Sequence, residues 1–238
     1  MGKNKLQKFE FVEKCPHVFQ YPFSVLKEKG FDMKGKWGEE FFKNDNPIVL
    51  ELGCGKGEYS VGLAQLYPEK NFIGIDIKGA RIWSGAKESL EKGMKNVAFL
   101  RTSIELIPYF FAENEVSEIW ITFPDPQLKK ARVKKRLTRT LFLAKYADFL
   151  KQDGWINLKT DCRHLHDYTK AVVDHNQLEC EVANTDIYGT GFADPLLSIK
   201  TRYEGIFLDR GVKITYLRFA LGNKKQFEEP LFEPDNLL

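Results

Sequence analysis

The chain has no paired cysteines and no long apolar run. Its four cysteines, Cys15, Cys54, Cys162 and Cys180, are scattered and form no C-x-x-C pair. That spacing argues against a disulfide framework and against a metal site, and it suits a reducing compartment. No segment approaches the roughly 18–20 consecutive apolar residues that span a bilayer. The opening, MGKNKLQKFEF, lacks an apolar stretch of leader length, so a cytoplasmic location and no membrane partner are expected. Internal repeats and low-complexity tracts are absent too. So is a marked excess of either charge: 36 Lys and Arg oppose 33 Asp and Glu, a net +3 over 238 residues. A sum that small announces no polyanionic partner, and only the distribution along the chain can decide.

What is present is the composition of a folded domain, 43% hydrophobic and 29% charged, long enough to bury a sizeable core. Residues 1–10 read as a mobile tail and 11–46 as a loosely structured lead-in. Residues 47–238 read as a single domain. Within it, short apolar runs at 48–52, 71–77, 96–100, 118–123, 154–160, 178–184 and 212–221 read as seven strands. The first five are nearly continuous in apolar character, as in strands buried on both faces of a parallel sheet. Helical patterns lie between them at about 57–67, 79–93, 103–111, 137–151 and 161–175. Such alternation predicts an α/β, doubly wound, mostly parallel sheet with helices on both faces. The long segment 185–211 shows no ordinary helix pattern, so the last strand is expected to enter antiparallel.

Ligands in such sheets bind at the carboxyl ends of the central strands. The first predicted strand runs into Glu51, Gly53, Gly55 and Gly57 and then a helix. A dinucleotide fingerprint would need glycine where Glu58 stands, and Glu58 would repel a pyrophosphate. No P-loop is present either. Glu51 suits a ligand with a positive end. Asp76, ending the second strand, suits the two hydroxyls of a ribose, and equally suits the capping of the next helix. Adenosine with a cationic tail describes S-adenosylmethionine, and the strand pattern fits a Rossmann-like class I methyltransferase.

The fourth predicted strand ends in Phe123-Pro124-Asp125-Pro126, where two prolines restrict one carboxylate. A wholly basic stretch follows: Lys129, Lys130, Arg132, Lys134, Lys135, Arg136 and Arg139, with no acid between Asp125 and Asp148. A solvated helix face is the plain alternative. A one-signed stripe beside a carboxylate cleft is also the footprint of a polyanion.

Taken in order, Glu51-Leu-Gly-Cys-Gly55, Gly74-Ile-Asp76, FPDPQLKKARVKKR over 123–136, Thr160-Asp161 and Thr201-Arg-Tyr-Glu204 resemble the bacterial tRNA (guanine-N7)-methyltransferases, the TrmB family. The resemblance covers roughly residues 45–221. It implies methyl transfer from S-adenosylmethionine to N7 of a guanosine in the tRNA variable loop, at position 46. By position it implies that Glu51, Gly53, Gly55, Asp76, Ser103 and Asp125 bind the cofactor, with Asp125 also at the chemistry. It further implies that Lys129, Asp161, Thr201, Arg202, Tyr203 and Glu204 meet the target nucleotide. The stretch Ala131, Arg132, Val133, Lys134, Lys135 and Arg136 would then meet the RNA. The partner is tRNA, no metal is implied, and a monomer or a homodimer is expected. Three positions depart from the family pattern: Gln127 stands where Trp is usual, Val133 where His is usual, and Ser103 where Asp is common.

Guanine N7 has an in-plane lone pair free at neutral pH, so no general base is needed. Acidic residues among Asp125, Asp161 and Glu204 are expected to accept hydrogen bonds from guanine N1–H and N2–H2 and to face the positive charge that develops. Three rivals stand beside this reading: a methyltransferase of another substrate, a non-catalytic tRNA-binding paralogue, and a nicotinamide dehydrogenase.

Overall fold

The computed structural model describes residues 3–232; Met1, Gly2 and residues 233–238 lie outside it. Along the chain run α1 (Lys3–Lys14), β1 (Val18–Gln20), α2 (Phe23–Lys29), a π-helical turn at Trp37–Phe42, β2 (Ile48–Leu52) and α3 (Glu58–Leu66). Next come β3 (Asn71–Asp76), α4 (Gly79–Glu91), β4 (Val97–Arg101), a 3-10 helix at Ile104–Tyr109 and β5 (Val116–Thr122). A second 3-10 helix at Lys130–Lys135 leads to α5 (Thr140–Tyr146), β6 (Leu150–Thr160), α6 (Arg163–His175), β7 (Glu179–Asn184), α7 (Arg202–Asp209) and β8 (Thr215–Ala220).

The strands form one sheet in the order β1-β4-β3-β2-β5-β6-β8-β7. Every neighbouring pair is parallel except the two that involve β8, which is antiparallel to both β6 and β7. The expected antiparallel last strand is therefore present. Strands β2 and β3 are buried at every residue. Alternate side chains feed two cores: Leu50 and Leu52 face Phe142, Leu165 and Val172, while Val49 and Phe72 face Tyr59, Val61 and Ile82. Apolar burial on both faces is what makes these strands read as unbroken hydrophobic runs.

Several expectations need correction. The sheet has eight strands, not seven, because β1 comes from the lead-in and pairs with β4. Its three residues lie between Pro16 and Pro22, too short a run for alternation to register. Residues 3–14 are helical rather than a tail, and α1 packs against α4. The lead-in also enters the main core through Leu26, Phe31, Trp37 and Phe42. Trp37 Nε1 donates to the Phe110 carbonyl at 3.0 Å, and the Glu115 carboxylate accepts the backbone N–H groups of Gly35, Trp37 and Ala112. The stretch 103–111 forms a 3-10 rather than an α-helix, with Pro108 inside it. The helix expected through 151 ends at Tyr146, since Leu150 already pairs with Val116. The segment 185–211 contains α7. Its sequence signal is Thr201-x-x-Glu204, a capping-box pattern, and Thr201 Oγ1 accepts the Glu204 N–H at 3.2 Å.

Candidate active site

The chain passes from β2 to β3 and β4 on one side, then to β5 on the other. The carboxyl ends of β2 and β5 therefore flank a topological switch point, where open α/β sheets form clefts. Two adjoining cavities open there, of about 320 Å³ and 400 Å³, sharing Gly53, Arg81 and Phe123. A larger open groove of about 830 Å³ lies beside β1, but none of the motif residues line it.

Behind β2 the backbone turns through Gly53, Gly55 and Gly57 with φ of 77°, 56° and 74°, a region that strongly favours glycine. A Cβ on Gly57 would lie 2.5 Å from the Phe99 ring, so α3 can start this close to the sheet only with glycine there. The Gly55 N–H donates to Asp76 Oδ2 at 3.0 Å, and the Lys78 N–H to Asp76 Oδ1 at 2.7 Å. The capping alternative for Asp76 is thus realised. Asp76 also lines the larger of the two cavities, and each of its oxygens retains a lone pair.

Glu51, only 3% exposed, sits at the back of the smaller cavity. Its Oε2 accepts the Ser60 N–H at 2.8 Å and the Ser60 hydroxyl, and its Oε1 accepts the Thr122 hydroxyl at 2.6 Å. Thr122 ends β5, so this carboxylate ties the two strands across the switch point. Burial pushes the carboxyl up to about 7, against the pull of those hydrogen bonds.

Ser103, Glu105, Asp125 and Gln127 line the larger cavity. The Ser103 hydroxyl donates to Glu105, so a carboxylate stands on this wall although position 103 carries none. Asp125 is exposed, and its Oδ1 accepts the Gln127 N–H at 3.0 Å. Backbone strain brackets this turn: Phe123 and Gln127 hold φ of 46° and 50°, unfavourable for residues with a Cβ. The Gln127 Oε1 atom is buried with no hydrogen-bond partner among the described residues. The chemistry of these walls suits an adenosine-bearing cation: Asp76 offers acceptors of the kind that ribose hydroxyls need, Gln127 an unused acceptor oxygen, and Glu51 a carboxylate for a positive end.

Thr201, Arg202 and Tyr203 line the smaller cavity, with Tyr203 49% exposed at its mouth. Glu204 is not brought there. It is 0% exposed and forms an ion pair with Lys159, also 0% exposed, while the Tyr188 hydroxyl donates to it at 2.7 Å. Of the three acids among which an acceptor for the base was expected, Asp125, Asp161 and Glu204, the last has its oxygens engaged in the core by Lys159 and Tyr188. Asp161 follows β6, whose end neighbours that of β5, and burial raises its carboxyl above the usual range. Neither cavity includes Asp161 or Lys129.

Lys129, Lys130, Ala131, Arg132, Lys134 and Lys135 are exposed, and Val133 half-buried. None of these cations has an ion-pair partner among the described residues. Arg136 departs from the group: it is 3% exposed and faces inward. Arg139 pairs with Glu229 at 3.1 Å.

Thr122 and Arg81 line the site, and Ser60 holds Glu51, without having been expected there; Lys159 was not expected either, and it holds Glu204 in the core beneath the segment that carries Tyr203. A lysine inside an apolar strand such as GWINLKT signals a buried charge with a partner, so Lys159 does carry a sequence signal. The two hydroxyls and Arg81 carry none. Among the described residues, no group of three or more His, Cys, Asp and Glu could hold a metal, and no helix is long and apolar enough to cross a membrane.

A family model described as "Putative methyltransferase" matches residues 45–217. A tRNA (guanine-N(7)-)-methyltransferase of Bacteroides fragilis is 57% identical over 233 residues, covering 98% of this chain and 92% of the relative. That of Porphyromonas gingivalis is 57% identical over 231 residues, covering 94% of each. Among solved structures, an antibiotic-related methyltransferase superposes with a TM-score of 0.59 at 18% identity, over 81% of this chain and 96% of the other. That likeness carries the fold alone. S-adenosylmethionine as cofactor goes with the methyltransferase family whose model matches, and the cleft that holds Glu51, Asp76 and Asp125 suits it. With the glycine turn, Asp76 and the Asp125 turn at the carboxyl edge of the sheet, and with near full-length identity to those relatives, the chain belongs to the tRNA (guanine-N(7)-)-methyltransferase family.

Proposed function

We propose that this protein methylates N7 of a guanosine in tRNA, in the variable loop at position 46, and that it acts in the cytoplasm. The observation that carries the reading is the 57% identity over 233 residues to a relative named as a tRNA (guanine-N(7)-)-methyltransferase, a name that gives the base and its atom; position 46 follows from the family resemblance of the sequence motifs. The cleft that holds Glu51, Asp76 and Asp125, beside a basic surface whose exposed cations have no ion-pair partner among the described residues, supports it.

Bound S-adenosylmethionine supplies an electrophilic methyl group on a sulfonium, to be taken up by the in-plane lone pair of N7. No proton has to be removed from N7, so the chain needs no general base. Its work is positioning and charge. Glu51 and Asp76 offer acceptors at the two ends of the cofactor. Asp125 faces the charge that develops on the purine. Asp161, half-buried after β6, offers a further acceptor for the guanine edge. Tyr203 at the mouth offers a ring to a base that has left its stack, a displacement costing a few kcal/mol. Lys129, Lys130, Arg132, Lys134 and Lys135 hold the phosphates.

The decisive test is methyl transfer to unmodified tRNA with mapping of the product base. Transfer to any atom but guanine N7 rejects the reading. Two further outcomes follow from the site. Cofactor affinity rises as pH passes upward through about 7, because the ionised Glu51 carboxylate favours a cationic ligand. Below that, protonation of Glu51 weakens binding. Calorimetric titration from pH 6 to 8 measures it, and in Glu51→Gln the dependence disappears. The Lys134→Ala/Lys135→Ala variant binds tRNA more weakly, with the salt-dependence slope reduced by roughly 0.7 for each single-strand phosphate that is no longer neutralised. An unchanged slope would remove these lysines from the RNA surface.

A further inference from the structure

The sequence places Arg136 in the basic stretch that would meet RNA, yet its side chain is turned away from solvent. Its Nε donates to the Pro126 carbonyl at 3.0 Å, and its terminal Nη2 donates to His164 Nε2 at 3.1 Å. The guanidinium plane lies over the Tyr168 ring, 4.5 Å from the centroid. A guanidinium used on both edges and one face has little left for a phosphate. We propose that Arg136 is a positioning residue for the Asp125 turn and not an RNA contact.

The turn needs an external hold. Asp125 lies between two prolines, and the flanking Phe123 and Gln127 occupy left-handed backbone that costs free energy. Prolines cannot supply the missing backbone donors, and the Pro126 carbonyl is where an outside donor can grip the turn. Arg136 reaches it from ten residues downstream, across a 3-10 helix that displays Lys134 and Lys135 outward. One short helix therefore points its lysines at solvent, and the arginine that follows it at the catalytic turn.

The buttress behind Arg136 comes from the chain's last described residues. The Tyr168 hydroxyl donates to Glu229, which also accepts from the Thr140 hydroxyl at 2.6 Å and from Arg139. Phe232 packs against Tyr168, ring centroids 5.5 Å apart. The aromatic floor under the guanidinium is thus pinned by a segment more than 100 positions away from the turn it supports. Only a guanidinium fork fits this arrangement. A lysine keeps the charge but cannot serve Pro126 and His164 together.

The inference rests on the tRNA methyl-transfer reading, and its test separates the two. Steady-state rates, tRNA affinity and its salt slope are measured for the wild type, Arg136→Lys, Arg136→Met and Lys134→Ala/Lys135→Ala. A wild type that transfers no methyl to tRNA defeats the functional reading. Given an active wild type, Arg136→Lys is expected to lose on the order of tenfold in kcat, a displacement effect. Its KM for tRNA and salt slope stay at wild-type values, and Arg136→Met shows the same split with a larger loss. Cofactor affinity within threefold of wild type certifies the fold, and Arg136→Lys decides alone if the Met variant is unstable. The proposal is overturned if Arg136→Met flattens the salt slope as the double lysine variant does while Arg136→Lys restores it. It is equally overturned if kcat is unchanged.

Discussion

Lys159→Met is expected to lower the unfolding free energy by about 3–5 kcal/mol, because it strands the Glu204 carboxylate in a site without water. The two side chains form an ion pair at 2.7 Å with neither exposed. Lys159 Nζ also donates to the carbonyls of Leu197 at 2.5 Å and Ile199 at 3.3 Å. Removing it costs the pair and unfastens the segment that carries Thr201, Arg202 and Tyr203. At roughly 2–4 °C per kcal/mol for a chain of this size, Tm falls by roughly 6–20 °C. The double variant Lys159→Met/Glu204→Leu is expected to recover much of the loss, since two apolar groups leave no orphaned charge. Thermal and urea melts read both. A single variant as stable as the wild type would show that Glu204 is not held as a buried carboxylate. Activity carries a second signature: the double variant stays slow on tRNA even where stability returns, because the carbonyls of 197 and 199 lack their donor.

Asp125→Asn is expected to reduce kcat by about 10²–10³, the range found when one preorganised electrostatic group is removed from a developing charge. The substitution keeps shape and the hydrogen bond from Gln127 N–H, since an amide oxygen can still accept. What it removes is negative charge beside a purine that becomes cationic. Exposure of Asp125 in the free protein does not weaken the expectation, because the bound base would exclude water and raise the strength of the interaction. Affinity for tRNA is expected to stay within a few-fold, since the substitution removes no cation that could neutralise a phosphate. Single-turnover rates with saturating cofactor isolate the effect. A rate within threefold of wild type would move the charge-stabilising role to Asp161.

The parallel core and the position of the cleft are legible in the sequence because they are written in local patterns. IVLEL and NFIGID are continuous apolar runs, and a strand covered on both faces leaves no other trace. Glycines with positive φ and a carboxylate between prolines are constraints on single residues, so they too can be seen without neighbours. The capping box that opens α7 is local in the same way, although the segment around it shows no apolar period. β1 is not legible, since three residues between prolines carry no period and gain their strand geometry only from the free edge of β4.

Charge in the linear chain says which residues are basic or acidic, and that suffices to mark a basic stretch next to the Asp125 turn. It cannot say which way a side chain points. Arg132, Lys134, Lys135 and Arg136 are near neighbours in one basic stretch, yet three face water and the fourth lies over Tyr168. Glu204 and Tyr203 are adjacent, yet one closes a buried ion pair and the other opens on the cleft. Those outcomes depend on partners 45 positions away for Glu204 and 28 for the His164 contact of Arg136. The free energy of burying a charge is set by what folding brings opposite it, and no local pattern records that.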